Sequence, residues 1–212
     1  MTATTDIISL AHEDSGGNGR LMALLPGAGD LRSEHRFLAG RLASEGYRVV
    51  TADLPGHGES PTAPEYTVAS TAAGIVELVE SLQAGPAVVV ACSFAPAAAV
   101  WAAAERPELF AGIVAISPHL HAEDSFKAKA QEIALDVLLR GPWAAGMWAR
   151  FYRSWYKTDV PADLDQELVR LRDMFSDPSR RRAARETLTA NRDGVRERIE
   201  RLDLPTLAVF GS

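Results

Sequence analysis

At 212 residues, 47% of them hydrophobic, the chain is long enough for one large α/β domain, or for a core carrying an insertion, and short for two independent domains. A net charge of -6 argues against a nucleic-acid or anionic-membrane surface, and a single cysteine excludes an internal disulfide and a cysteine-built metal cluster. The stretch from Met1 to Leu10 has neither a basic segment nor a long apolar core, so it does not read as a secretory signal, and the expectation is a soluble cytoplasmic protein.

Residues Asp6 to Glu13 alternate loosely and predict an outer strand, followed by the turn-rich stretch 14–19. Leu21 to Leu25 is a short apolar run that predicts a strand delivering the glycine loop Pro26-Gly-Ala-Gly-Asp30. That loop is no dinucleotide site, because it lacks a third glycine and a ribose-binding acid at the usual distance. A helix is expected over 32–45, with Phe37, Leu38 and Leu42 on one face, Asp30 or Ser33 as N-cap, and His35 on the surface. Gly46 to Asp53 reads as a strand and Leu54 to Ser60 as a glycine-rich turn. Tyr66 to Gln83 reads as a helix, carrying Ile75, Leu78, Val79 and Leu82 at helical spacing.

The run from Ala87 to Trp101 begins as a strand through Val88, Val89 and Val90 and becomes helix-forming from Ala97. A buried strand that turns into a helix within three residues makes a tight turn. Its central side chain leaves the sheet edge, and the neighbours two before and two after must be small. Centred on Ser93 these are Ala91 and Ala95; centred on Cys92 they are the bulkier Val90 and Phe94. Ser93 is therefore the expected exposed side chain. No charge occurs between Glu80 and Glu105, but Gly85, Pro86, Pro96 and the many alanines fit a strand and its helix better than a membrane span. Gly112 to Ile116 predicts a further strand, ended by Ser117-Pro118. Strands and helices alternating in this order imply a mostly parallel sheet with helices on both faces, reactive at the carboxyl ends of its strands.

From about His119 to Leu204 the pattern is helical. Trp148, Phe151, Tyr152, Trp155 and Tyr156 are spaced to share one helical face, which either packs the helices onto the sheet or roofs Ser93. Arg180 to Arg182 and the arginines as far as Arg201 alternate with acids and predict a solvated helix face.

The pentapeptide Ala-Cys-Ser-Phe-Ala around Ser93 resembles the nucleophile elbow of the α/β-hydrolase family, with alanines where Gly-x-Ser-x-Gly is commoner. The phrase GYRVVTADLPGHGES, from Gly46 to Ser60, resembles the corresponding family segment, and Pro205 to Ser212 resembles the strand before the family's acid loop. The likeness covers nearly the whole chain. It implies an α/β-hydrolase core over 1–118 and 205–212 with an inserted helical lid over 119–204. It also implies acyl transfer through Ser93 on an ester of a small, fairly apolar molecule, with no cofactor and no metal. The oxyanion would be held by the backbone N–H groups of Ala28 and Phe94, and His57 would be structural. His119, Trp148, Tyr152 and Trp155 are the expected pocket and lid residues.

In this family the acid follows a strand like Thr206 to Phe210 and the histidine lies one strand further on, positions that do not fall within residues 1–212. His119, His121, Glu123 and Asp124 are the substitutes that the segment after the Gly112 strand offers. Two expectations stand side by side: a serine hydrolase of which these residues are an N-terminal portion, or a catalytically incomplete module that binds an apolar ligand or a protein partner. Neither a nucleic acid nor a membrane is an expected partner, and an unpaired apolar edge over 206–210 would promote self-association.

Overall fold

Six strands form one sheet in the computed structural model, which describes residues 8–120 and 126–211. They are β1 (His12–Asp14), β2 (Leu21–Leu25), β3 (Arg48–Ala52), β4 (Ala87–Cys92), β5 (Phe110–Ile116) and β6 (Thr206–Val209), in the spatial order β1-β3-β2-β4-β5-β6. Only the β1–β3 pairing is antiparallel. Asp6, His121, Glu123 and Asp124, named above as a strand start and as substitute site residues, lie outside the described residues.

The alternation of side chains along the strands divides the core. Leu21, Ala23, Leu25, Val89, Ile113 and Ala115 pack with α2 (Val68–Ser81), α3 (Ala95–Glu105) and Val195 of α8 (Val195–Arg201). Met22, Leu24, Val49 and Val90 point the other way, against Ala39, Leu42 and Ala43 of α1 (Arg36–Ser44). Ala97, Ala98, Ala99, Ala102 and Ala103 are fully buried, so the helix leaving the Ser93 turn packs mostly through small side chains, with Val100 and part of Trp101 beside them. Helix α2 starts with a reciprocal cap: Thr67 Oγ1 accepts from the Ser70 N–H, and Ser70 Oγ accepts from the Thr67 N–H.

Several expectations are corrected. Residues 32–35 form a 3-10 turn and the α-helix begins only at Arg36. Neither Asp30 nor Ser33 caps it: Asp30 accepts from the Leu31 N–H and the Ser33 hydroxyl donates to Glu167. Phe37 is 62% exposed, so only Leu42 of the expected face reaches the sheet. His35 is buried, its Nε2 hydrogen-bonded to the Leu25 carbonyl, because the 3-10 turn folds it under the end of β2.

Between β5 and β6 lie α4 (Phe126–Arg140), α5 (Ala144–Arg153), α6 (Leu164–Ser176), α7 (Pro178–Leu188) and α8. Trp148, Tyr152, Leu164, Leu168, Leu171 and Phe175 build a second core there, into which Leu31 of the glycine loop inserts. The aromatic row runs past the end of α5 at Arg153 with its rings in succession, centroids 5.1 to 5.7 Å apart, but only part of it is covered. Trp148 and Tyr152 are buried, whereas Phe151 and, past the helix end, Trp155 are exposed. Nor is the arginine cluster simply solvated: Arg180 donates to the carbonyls of His57 and Ser60, and Arg182 to that of Pro64, tying α7 to the turn after β3. No helix among the described residues is long and apolar enough to cross a membrane. Strand β6 is exposed along its length.

Candidate active site

Strand β4 ends at Cys92 and α3 begins at Ala95, so the chain reverses within two residues, with Ser93 at φ 55°. A non-glycine residue there costs on the order of 1–3 kcal/mol and persists only where its surroundings hold it. They do so from both sides: the Ser93 N–H donates to the Ile116 carbonyl (2.9 Å), and its carbonyl accepts from the His119 N–H (2.8 Å). The small flanking residues Ala91 and Ala95 are both fully buried.

The glycine loop backs directly onto this turn. A Cβ placed on Gly27 would lie 3.4 Å from the Ser93 Cβ. Every amide from Gly27 to Leu31 but one has an acceptor. Gly27 N–H donates to Glu34 Oε2 (2.9 Å), Gly29 N–H to His57 Nε2 (3.0 Å), Asp30 N–H to the Gly27 carbonyl (3.1 Å) and Leu31 N–H to Asp30 Oδ1 (2.8 Å). Among the described residues the exception is Ala28, and the Phe94 N–H, at the start of α3, likewise has no acceptor.

His57 is fully buried. Its Nε2 accepts from Gly29, so the proton sits on Nδ1 and is donated to the Pro55 carbonyl (3.0 Å). Burial lowers its pKa, so the ring stays neutral with both nitrogens committed to the backbone. Gly29 adopts φ 81°, and its carbonyl accepts from Trp148 Nε1 (2.8 Å), whose ring stacks on Phe175 with centroids 5.1 Å apart.

Acidic groups gather on the other side of the loop. Asp30 is buried, and desolvation, reinforced by the Glu34 charge, raises its pKa well above the usual carboxylate range. The Tyr152 hydroxyl beside it is pushed up by burial and then by Asp30, and the Cys92 thiol by burial and then by Glu34.

The structure thus gathers Ser93, Ala28, Phe94, Trp148 and Tyr152 around one loop. His119 meets Ser93 through its backbone while its side chain is exposed, and Trp155 lies at the surface, its ring 5.1 Å from that of Tyr152. Sequence reasoning missed Glu34 and cast Asp30 only as a cap; two acids within and just after a glycine loop were the available signal. A polar cavity of about 670 Å³ also borders the loop, lined in part by Leu31, Arg32, Asp53, Glu59, Asp173 and Arg180. Ser93 is not among its lining residues, and Arg32 is paired there with Glu13, Asp53 and Glu59.

A mostly parallel sheet whose central strand turns through a positive-φ serine into a helix, faced by a glycine loop with one uncommitted amide, defines an α/β protein of the strand–turn–helix elbow class. The chain belongs to the alpha/beta hydrolase family, which it matches over residues 22–210. It is 32% identical over 130 residues to lipase LipV of Mycobacterium tuberculosis, covering 58% of this chain and about half (48%) of that lipase. Among solved structures it resembles a thermophilic esterase from Thermogutta terrifontis, with a TM-score of 0.75 at 25% identity over 99% of this chain and 77% of that one. A bromoperoxidase from Bacillus anthracis shares the fold with a TM-score of 0.82 at 18% identity, over 96% of this chain and 77% of that one.

Proposed function

We propose that this chain carries the nucleophile and oxyanion site of a serine hydrolase that acts on an ester of a small, fairly apolar molecule. Ser93 Oγ attacks the carbonyl carbon as its hydroxyl gives up its proton, and the developing oxyanion is received by the Ala28 and Phe94 amides; the bond to the alkoxide then breaks, the alkoxide takes up that proton and leaves as the alcohol, and water cleaves the acyl-enzyme to the carboxylic acid and free Ser93. The observation that carries this reading is the loop beside Ser93, in which Ala28 alone of five successive amides lacks an acceptor. An oxyanion donor must be held in place and unspent, and removing one typically costs about 100- to 1000-fold in turnover. The esterase and the lipase among the relatives support ester chemistry. Trp148 and Tyr152 support an apolar acyl or alcohol group beneath the helical insertion acting as a lid, with His119 and Trp155 at its rim.

A second reading, a catalytically incomplete module that binds an apolar ligand or a protein partner, is supported by the histidines. His12, His35 and His57 each commit a ring nitrogen to a backbone carbonyl, and the His119 side chain faces solvent. Incubation of the protein with a fluorophosphonate probe, followed by intact mass and peptide mapping, separates the two. One adduct on Ser93, absent from Ser93→Ala, is the expected result. A folded protein that takes no adduct and turns over no p-nitrophenyl butyrate overturns the hydrolase reading and leaves the binding module.

A further inference from the structure

Resting on the acyl-transfer reading, we propose that Glu34 is the positioning residue of the oxyanion loop: by accepting the Gly27 N–H it sets the peptide between Gly27 and Ala28 so that the Ala28 amide faces Ser93.

The geometry follows from peptide planarity. The Gly27 carbonyl and the Ala28 N–H belong to one planar trans unit and point in opposite directions. That carbonyl is held by the Asp30 N–H, while the Gly27 N–H belongs to the preceding peptide and is held by Glu34 Oε2. The peptide planes on both sides of the Gly27 Cα are thus anchored, one by Asp30 and one by Glu34, and together they set the direction of the Ala28 N–H. Gly27 lies against the Ser93 side chain, so an error in this peptide's tilt is transmitted at once to the nucleophile.

The electrostatics make a purely stabilising role a poor explanation. Among the described residues Glu34 has no cation within 4.0 Å, while its neighbours are the Asp30 carboxyl and the Cys92 thiol. What the Glu34 carboxylate supplies to the loop is a strong acceptor, since a bond from an amide to a carboxylate is shorter and stronger than one to a neutral oxygen. The 3-10 turn at 32–35 is what brings residue 34 back to residue 27.

The test uses Glu34→Ala and Glu34→Gln in the full chain, with two readouts: the rate of Ser93 labelling by a fluorophosphonate, and kcat and KM for p-nitrophenyl butyrate. Glutamine keeps an acceptor oxygen and alanine does not. The expected result is a loss of about 10- to 100-fold in labelling rate and kcat for Glu34→Ala, with KM within about twofold and an unchanged melting temperature, while Glu34→Gln stays within about threefold. Should Glu34→Ala fail to fold, Glu34→Asp, which retracts the carboxylate by one methylene, carries the same expectation at about fivefold or more. A Glu34→Ala protein as active as wild type overturns the inference, and so does an equal loss in Glu34→Gln, which would make the charge the cause. Wild type that is never labelled at Ser93 overturns the acyl-transfer reading itself, a distinct result visible before any Glu34 variant is made.

Discussion

The two flanks of Ser93 are built in opposite ways. On one, the loop from Gly27 to Leu31 is buried and nearly all its amides are spent on Glu34, His57, Asp30 and its own backbone, with Trp148 holding the Gly29 carbonyl. On the other, Ser117 and His119 are exposed and held chiefly through their backbones, by the Ser117 N–H to Val209, the His119 N–H to Ser93, and the His119 carbonyl accepting from Arg192. Rigidity is concentrated where negative charge would develop, because fixed dipoles stabilise a charge only if they need not reorient when it appears.

The contrast can be broken most severely at the nucleophile. Ser93→Ala should abolish probe labelling and cut ester turnover by about 1000-fold or more, whereas His119→Ala on the open flank should change labelling by less than about tenfold; a comparable loss would make His119 part of the chemistry. Next comes the stiff flank. Gly29→Ala combines a positive φ with a Cβ placed 2.5 Å from the Trp148 ring. It should destabilise by about 2–4 kcal/mol, seen as a fall in melting temperature of roughly 5–15 °C. Trp148→Phe keeps the stacking on Phe175 but leaves the Gly29 carbonyl without its donor, for about 1–2 kcal/mol and a proportionate loss of labelling rate.

The smallest effect sharpens the comparison through pH. Asp30 holds its proton in the folded state above the unfolded value of 3.8, so above that pH the unfolded chain binds fewer protons and this group's contribution to stability falls as pH rises. His57 acts in the other sense: kept neutral by burial, it loses stability as pH falls below 6.5, where the unfolded chain takes up a proton. Melting curves of wild type and Asp30→Asn compared from pH 4 upward isolate the first effect, because His57 is common to both. Asp30→Asn should flatten the fall of this contribution with rising pH; an unaltered slope throughout would mean that Asp30 is ionised.

What could be read in the sequence was local. The valines of β4, the alanines of α3 and the small residues two either side of Ser93 describe a strand, a helix and the turn between them, and all depend on neighbours in the chain. The mostly parallel sheet followed from the alternation of strands and helices, and the structural role of His57 from the family resemblance. The rest is set by contacts across long sequence separations. Nothing in the spacing of Trp148 and Tyr152 says that one closes Gly29 and the other sits beside Asp30, more than a hundred residues away. The aromatic row keeps its rings in contact, but its spacing could not say which are covered: Phe151, inside α5, is exposed while Trp148 and Tyr152 are buried. Arg180 and Arg182 looked solvated because their acceptors are main-chain carbonyls, which leave no charge pattern.

The single thiol has a practical consequence. Cys92 stands next to Ser93, yet burial and the Glu34 charge push its pKa far above the ordinary range, so at neutral pH it holds almost no thiolate, the form that alkylates. Iodoacetamide should leave the native chain unmarked while a phosphonate reacts one residue away, giving two orthogonal reagents at adjacent atoms of one backbone. Alkylation of Cys92 then serves as a clock for the opening of the junction between β4 and α3, because opening frees a half-buried thiol from the surroundings that hold its acidity down.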